Sequence, residues 1–157
     1  MLITIINGEN MNERIQIEVG IFSIVQEVRS AFGEKSQRNR DFTGNHFKFI
    51  YENVILNEIK PLQFYQILNE SEIWFGRIES YFKGDCALLN VFVTGRESDS
   101  ILLIAERSRY DWEFRDALTR IYPNVKNIWI KSGRKYELPD IDECINEAVD
   151  SGIIRWS

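Results

Sequence analysis

Histidine occurs once in this 157-residue chain and cysteine twice, and each scarcity excludes a class of function. The lone histidine, His46, has no zinc-type cysteine spacing around it, while a metal needs three or four ligands. Cys86 and Cys144 are too few for a disulfide framework and read as idle or buried thiols of a reducing compartment. A nucleophilic cysteine would need a base beside it, and His46 lies in the other half of the chain. The nine glycines are scattered and none forms a phosphate-binding GxGxxG or GxxxxGK loop. Asp140, Asp142 and Glu143 fit a solvated helix start, where carboxylates meet the positive end of the helix dipole. No catalytic residue, metal or cofactor is therefore expected, and the chain is not expected to be an enzyme.

An excess of basic charge is also missing. The net charge is −5; residues 1–80 carry 8 basic and 11 acidic side chains, and residues 81–157 carry 11 and 13. Neither half suits a general binder of nucleic acid or anionic membrane. No apolar run reaches transmembrane length, and Met1-Leu2-Ile3-Thr4-Ile5-Ile6 lacks the basic start of a signal peptide. The expected address is cytoplasmic.

What the chain does have is 44% hydrophobic and 13% aromatic residues, ample for two small cores. Leu2 to Ile6 reads as a strand, Asn7-Gly8-Glu9-Asn10 as a turn, and Arg14 to Val19 alternates as the return strand of a hairpin. Ser23 is placed as a helix N-cap, with Gln26 completing a capping box. Val25, Val28 and Phe32 then mark the inner face of a helix that ends near Gly33. After a polar loop, Phe49–Tyr51 leads through Glu52-Asn53 into Val54-Ile55-Leu56, a second hairpin signal. Leu62, Tyr65 and Ile67 tuck under the sheet, and Ile73-Trp74-Phe75 is a strand of β-branched and aromatic residues.

Beyond a polar connector, Glu79 to Asp85, the same order of elements returns. Leu88–Val93 and Ile101–Ala105 are strands, and Asp111 is a plausible N-cap for a helix with Phe114, Leu118 and Ile121 on one face. Pro123 stops that helix. Val125–Lys131 and Tyr136–Leu138 are strands, Ile141 to Ala148 is a small helical segment, and Gly152–Trp156 closes the sheet. A repeat of element order near 80 residues points to duplication. The expected fold class is α+β: two tandem domains, 1–78 and 86–157, joined by residues 79–85, each a mixed sheet packed on one main helix.

The stretch from Phe49 to Ile78, FIYENVILNEIKPLQFYQILNESEIWFGRI, resembles the second half of ubiquitin and aligns with it without a gap. Leu56, Leu62, Tyr65, Ile67, Ser71 and Ile73 fall on the same or closely similar residues. The resemblance implies a β-grasp (ubiquitin-like) domain over 1–78. In the second half, WEFRDALTRIYPNVKNIWIKSGRKYELPDIDECI resembles a doublecortin-type domain, itself a β-grasp. Two such units on a short connector resemble the tandem ubiquitin-like modifiers induced by interferon in vertebrates, and those of bacterial conjugation operons. Such proteins work by being bound. The implied partners are proteins: E1-like activating and E2-like conjugating enzymes and a deconjugating protease. An unconjugated ubiquitin-like adaptor and a doublecortin-like cytoskeletal binder are the alternatives.

The resemblance also implies where partners dock. Ile50 falls on the central isoleucine of ubiquitin's hydrophobic patch and Trp74 on its neighbouring histidine, while Gly76 replaces a valine and alters that patch. Ile50 is expected to face outward because Phe49 and Tyr51 compete for the opposite side of the pleat. The alternative is that Ile50 and Trp74 face the second domain. Trp129 falls near the same patch position in the second unit, and Trp156 lies on the last strand; either also fits an ordinary core. Arg134 and Lys135, with Arg107 and Arg109, form a candidate basic spot, or a solvated turn. A ubiquitin-type modifier needs a flexible tail ending in glycine. Here the conjugation end would be Arg155-Trp156-Ser157, and cutting at Gly152 would remove the closing strand.

Overall fold

The computed structural model describes residues 1–9, 13–36, 47–81, 86–92, 100–121, 123, 127–130, 135–137 and 155–156, with the backbone alone at 79, 86–87, 107, 111, 127–130, 135–137 and 155–156. The fold is α+β with mixed strand pairing. The chain forms two compact units: Met1–Glu52 with Leu56–Tyr81, and Asn53–Ile55 with Phe82–Ser157.

In the first unit β1 (Leu2–Asn7) and β2 (Arg14–Glu18) pair antiparallel, with Ile3 opposite Ile17 and Ile5 opposite Ile15. Alternation puts Ile3, Ile5 and Ile17 on the buried face. Helix α1 (Val25–Lys35) adds Val25, Val28 and Phe32 to that core, as the spacing predicts. Its start differs from expectation. The N-cap is Ile24, which makes no side-chain cap bond, and the Ser23 hydroxyl instead accepts the Gly20 N–H at 3.0 Å. The first helical N–H groups find tertiary partners: Val25 donates to Lys60 O (3.0 Å) and Gln26 to Glu58 O (2.9 Å). A neighbouring loop thus does the work of a cap, which the local sequence does not reveal. The helix also runs past Gly33 to Lys35, whose ammonium donates to Gln16 O at 3.0 Å.

Strand β5 (Glu72–Arg77) lies between β1 and β3 (Phe47–Tyr51), so the order is β2-β1-β5-β3. It runs parallel to β1 (Ile73 beside Ile5) and antiparallel to β3 (Phe75 opposite Phe49). Phe75 anchors an aromatic cluster with the rings of Phe49, Phe32 and Phe47 at 4.5, 5.1 and 5.8 Å. The Arg29 guanidinium lies over Phe75 and Phe49, donates to Phe47 O at 2.6 Å and pairs with Glu58. Leu62, Tyr65 and Ile67 are buried as expected, around a 3-10 turn at Leu62–Tyr65, and the Tyr65 phenol oxygen accepts the Asn57 N–H at 2.8 Å. Glu52 and Asn53, at φ 47° and 69°, form the two-residue turn after β3. Paired positive φ values suit the twist of a hairpin. Gln66 and Glu70 also take left-handed conformations.

In the second unit β6 (Cys86–Phe92) and β7 (Ser100–Glu106) pair antiparallel over seven residues, from Cys86 opposite Glu106 to Phe92 opposite Ser100. Strand β4 (Val54–Ile55) pairs with β7, Val54 opposite Leu103. Strand β6 also pairs with β8 (Asn127–Ile130) and with β10 (Arg155–Trp156), while β9 (Lys135–Glu137) pairs with β8. Helix α3 (Tyr110–Ile121) packs on β7 and buries Phe114, Ala117, Leu118 and Ile121. It follows directly from a 3-10 turn at Arg107–Arg109, so Asp111 lies inside the helix and not at its cap. Residues 79–81 of the expected connector, with Ile78 of the expected first domain, form a short helix, α2 (Ile78–Tyr81), which belongs to the first unit. The expected helical segment at 141–148 lies outside the described residues, as do His46 and Cys144. Among the described residues no helix is long and apolar enough to cross a membrane.

Candidate docking surfaces

The outer face of the first sheet carries the residues singled out by the ubiquitin-like pattern. Pairing sets Arg14, Ile6, Trp74 and Ile50 side by side across β2, β1, β5 and β3. Neighbouring paired residues share a face, so the row is real. The exposure expected of Ile50 is not: its side chain is 1% accessible. Alternation with Phe49 correctly assigns the face, but alternation does not decide whether that face is open to water. Ile50 is therefore corrected from an outward docking residue to a buried one.

Trp74 is half-buried and lies flat on the backbone. A Cβ on Gly8 would overlap the indole, and one on Gly76 would stand 2.8 Å from Cη2. Gly76 thus has a physical reason: it clears the floor for the tryptophan. The Tyr81 ring meets the indole edge-on, with centroids 5.0 Å apart. Around this bed the backbone is tied by Gly8 N–H to Phe75 O (2.6 Å) and Asn7 Oδ1 from Glu9 N–H (3.0 Å). Asn7 is itself buried; its Nδ2 donates to Glu13, whose other oxygen accepts the Ser36 hydroxyl at 2.8 Å. Further along the same face Arg14 and Glu72 pair at 2.9 Å with both side chains about half exposed. Such a pair contributes little.

The large apolar side chains that do meet water lie elsewhere. In the first unit Ile21, Phe22, Ile59 and Leu68 are exposed, Phe22 at 71%. Phe22 sits in the turn before α1, and Ile59 in the loop that receives that helix's first N–H groups. In the second unit Trp112 is 69% exposed on α3. The sequence held a signal for Trp112: two residues before Phe114, it falls on the opposite side of the helix from the Phe114, Leu118 and Ile121 stripe. Phe22 and Ile59 follow neither helical nor strand periodicity, so nothing marked them.

Beside Trp112, Glu113 bridges helix to strand by accepting the Glu106 N–H at 2.8 Å. Burial pushes its carboxyl pKa up, and the charges of Glu106 and Asp116 act in the same direction. The Glu106 N–H and Arg109 oppose them. Trp129 and Lys135 lie opposite each other in β8 and β9, and Arg155 and Trp156 lie opposite Leu88 and Ala87, all as described backbone. Arg134 and Ser157 lie outside the described residues. Among the described residues no group of three His, Cys, Asp or Glu side chains is placed to hold a metal ion. No protein-family model matches the chain, and no curated protein matches it.

Proposed function

We propose that this chain is a tandem ubiquitin-like protein that acts by reversible protein–protein contacts. The observation that carries the reading is the layout of the first unit: a hairpin, a helix against its inner face, and a later strand inserted parallel to the first. That layout supports a β-grasp reading, as does the burial of Leu56, Leu62, Tyr65, Ile67 and Ile73 among the residues aligned with ubiquitin, of which Ser71 is half-buried. For the second unit the support is the order of its elements, since its described strands pair differently. The docking residues on this reading are Phe22 in the first unit and Trp112 in the second, large apolar side chains in water of the kind that dominate interface energy.

Covalent conjugation, by E1-like and E2-like enzymes with removal by a protease, is the second reading. The exposed Phe22 and Trp112 favour the reversible reading, while Arg155 and Trp156 pair with β6. Cytoplasmic address and the doublecortin-like route through Arg134 and Lys135 remain expectations of the sequence. The test is co-purification of the tagged chain from its native cell, compared with Phe22→Ala and Trp112→Ala. A partner held by the parent and lost with either variant supports the proposal. A partner set unchanged by both removes these residues from the account.

A further inference from the structure

Strand β2 ends the order of strands in the first unit: β1 pairs with it on one side, and no described strand pairs with it on the other. The bonds at the two ends of the β1–β2 ladder show which of its backbone groups face that open side. Val19 N–H donates to Met1 O at 2.8 Å, the Met1 ammonium donates to Val19 O at 2.7 Å, and Asn7 N–H donates to Glu13 O at 3.1 Å. Bonded and non-bonded residue pairs alternate along an antiparallel ladder. In this register Ile15 and Ile17 are therefore the residues of β2 bonded to β1, and the N–H and C=O groups of Arg14, Gln16 and Glu18 point away from it. Gln16 O bears out the direction, since the Lys35 ammonium reaches it from outside at 3.0 Å. Among the described residues that is the one partner these outward groups find. An unpaired strand edge is a template for another strand.

We propose that β2 is a self-association edge, to which a second copy of this chain adds its own β2, antiparallel, about a two-fold axis at Gln16. A closed pair of identical surfaces sets residue i against j and j against i. Centred on Gln16, the register uses every outward group of both strands: Gln16 faces its copy, and Arg14 exchanges both backbone bonds with Glu18 of the second copy. The side chains fit the same register. Arg14, Gln16 and Glu18 are all exposed, and each Arg14 stands opposite a Glu18, so both charged positions match in sign. On the inner face Ile15 meets Ile17. The ion pairs these side chains now make are exposed and cost little to exchange: Arg14 with Glu72, each 54% accessible, and Glu18, 78% accessible, with the Met1 ammonium. Lys35 is exposed too, and its flexible stem lets the ammonium swing off Gln16 O. So short an edge, with a lysine to displace, gives a reversible dimer of small interface. This inference does not depend on Phe22 or Trp112.

The test is sedimentation equilibrium of the full chain at low salt over rising concentration. The parent is expected to move from the mass of one chain toward that of two below about 1 mM. Arg14→Glu alone and Glu18→Arg alone each set like charges against each other at both positions, and each should weaken association by about 10-fold. Mixing the two variants brings opposite charges together again at both positions, so the mixture should regain the parent's association. Gln16→Pro removes an N–H that points away from β1, a place where an edge strand tolerates proline, and should abolish the dimer. Urea unfolding of each variant checks that the unit stays folded. A parent that keeps the mass of one chain throughout overturns the proposal. Single charge variants that associate like the parent, a loss that mixing does not restore, or association that survives Gln16→Pro would each put the contact elsewhere and overturn it too.

Discussion

In the first unit β1 lies between β2 and β5, antiparallel to one and parallel to the other; in the second, β6 lies between β7 and β8, and every pairing among the described strands is antiparallel. The sequence presents both as hairpin, helix, then further strands. Element order therefore repeats while strand neighbours do not. The difference teaches that a period in the order of elements is evidence for similar pieces, and that register must be argued from side chains. In the first unit the side chains make that argument, because Ile73 and Phe75 are apolar on the same face as Ile5 and Phe49. In the second, β10 brings Arg155 and Trp156 beside Leu88 and Ala87, a pairing no alternation in that segment announces.

The two described tryptophan side chains mark the same contrast: Trp74 rests on a floor of glycine, and Trp112 stands in water. The largest expected effect breaks the first of these. Gly8→Ala places a methyl into the indole, and overpacking of this kind costs about 3 kcal/mol. Urea unfolding should show that loss, and adding Trp74→Ala should return part of it. Next is Arg29→Met, which removes a charged donor from Phe47 O and the cation from over Phe75, with an expected loss of about 2 kcal/mol. The Glu58 pairing adds little to that sum, since Glu58 is partly exposed.

The second unit should respond in the opposite direction at one position. Asn90 Oδ1 is buried and finds no hydrogen-bond partner among the described residues. Asn90→Val is therefore expected to raise stability by about 1 kcal/mol, read as a higher urea midpoint. Trp112→Ala should change stability by less than about 0.5 kcal/mol, as at most exposed sites, while still altering binding. The smallest effect concerns pH. Because the folded unit raises the Glu113 pKa, the proton is held more tightly in the folded than in the unfolded chain. Its contribution is fully present below the unfolded pKa and fades as pH rises through the folded value. Glu113→Gln should thus flatten the fall in urea midpoint from about pH 4 upward.

Much of the first unit was legible in the sequence because its core obeys simple periods: Ile3, Ile5 and Ile17 alternate, and Val25, Val28 and Phe32 follow a helix face. Features set by contacts distant in sequence were not legible. Ser23 has the chemistry of a cap, yet Lys60 and Glu58 carbonyls take the helix's first donors. Ile50 has the right parity for the outer face, yet parity is silent on cover. Gly76 read only as a change to a docking patch, and the reason for it, the space Trp74 occupies, was not legible. The lesson for the site is the same. A pattern borrowed from ubiquitin marks where a surface lies, and packing decides whether it is available.

The most direct test of reversible action is a denaturing gel of the tagged full chain from its native host, with mass spectrometry of every band, beside a native purification. The account predicts one band at the free mass in denaturant and partners in the native sample. Bands that survive denaturant, with this chain's carboxyl end joined to a target side chain, would contradict it and establish a covalent modifier.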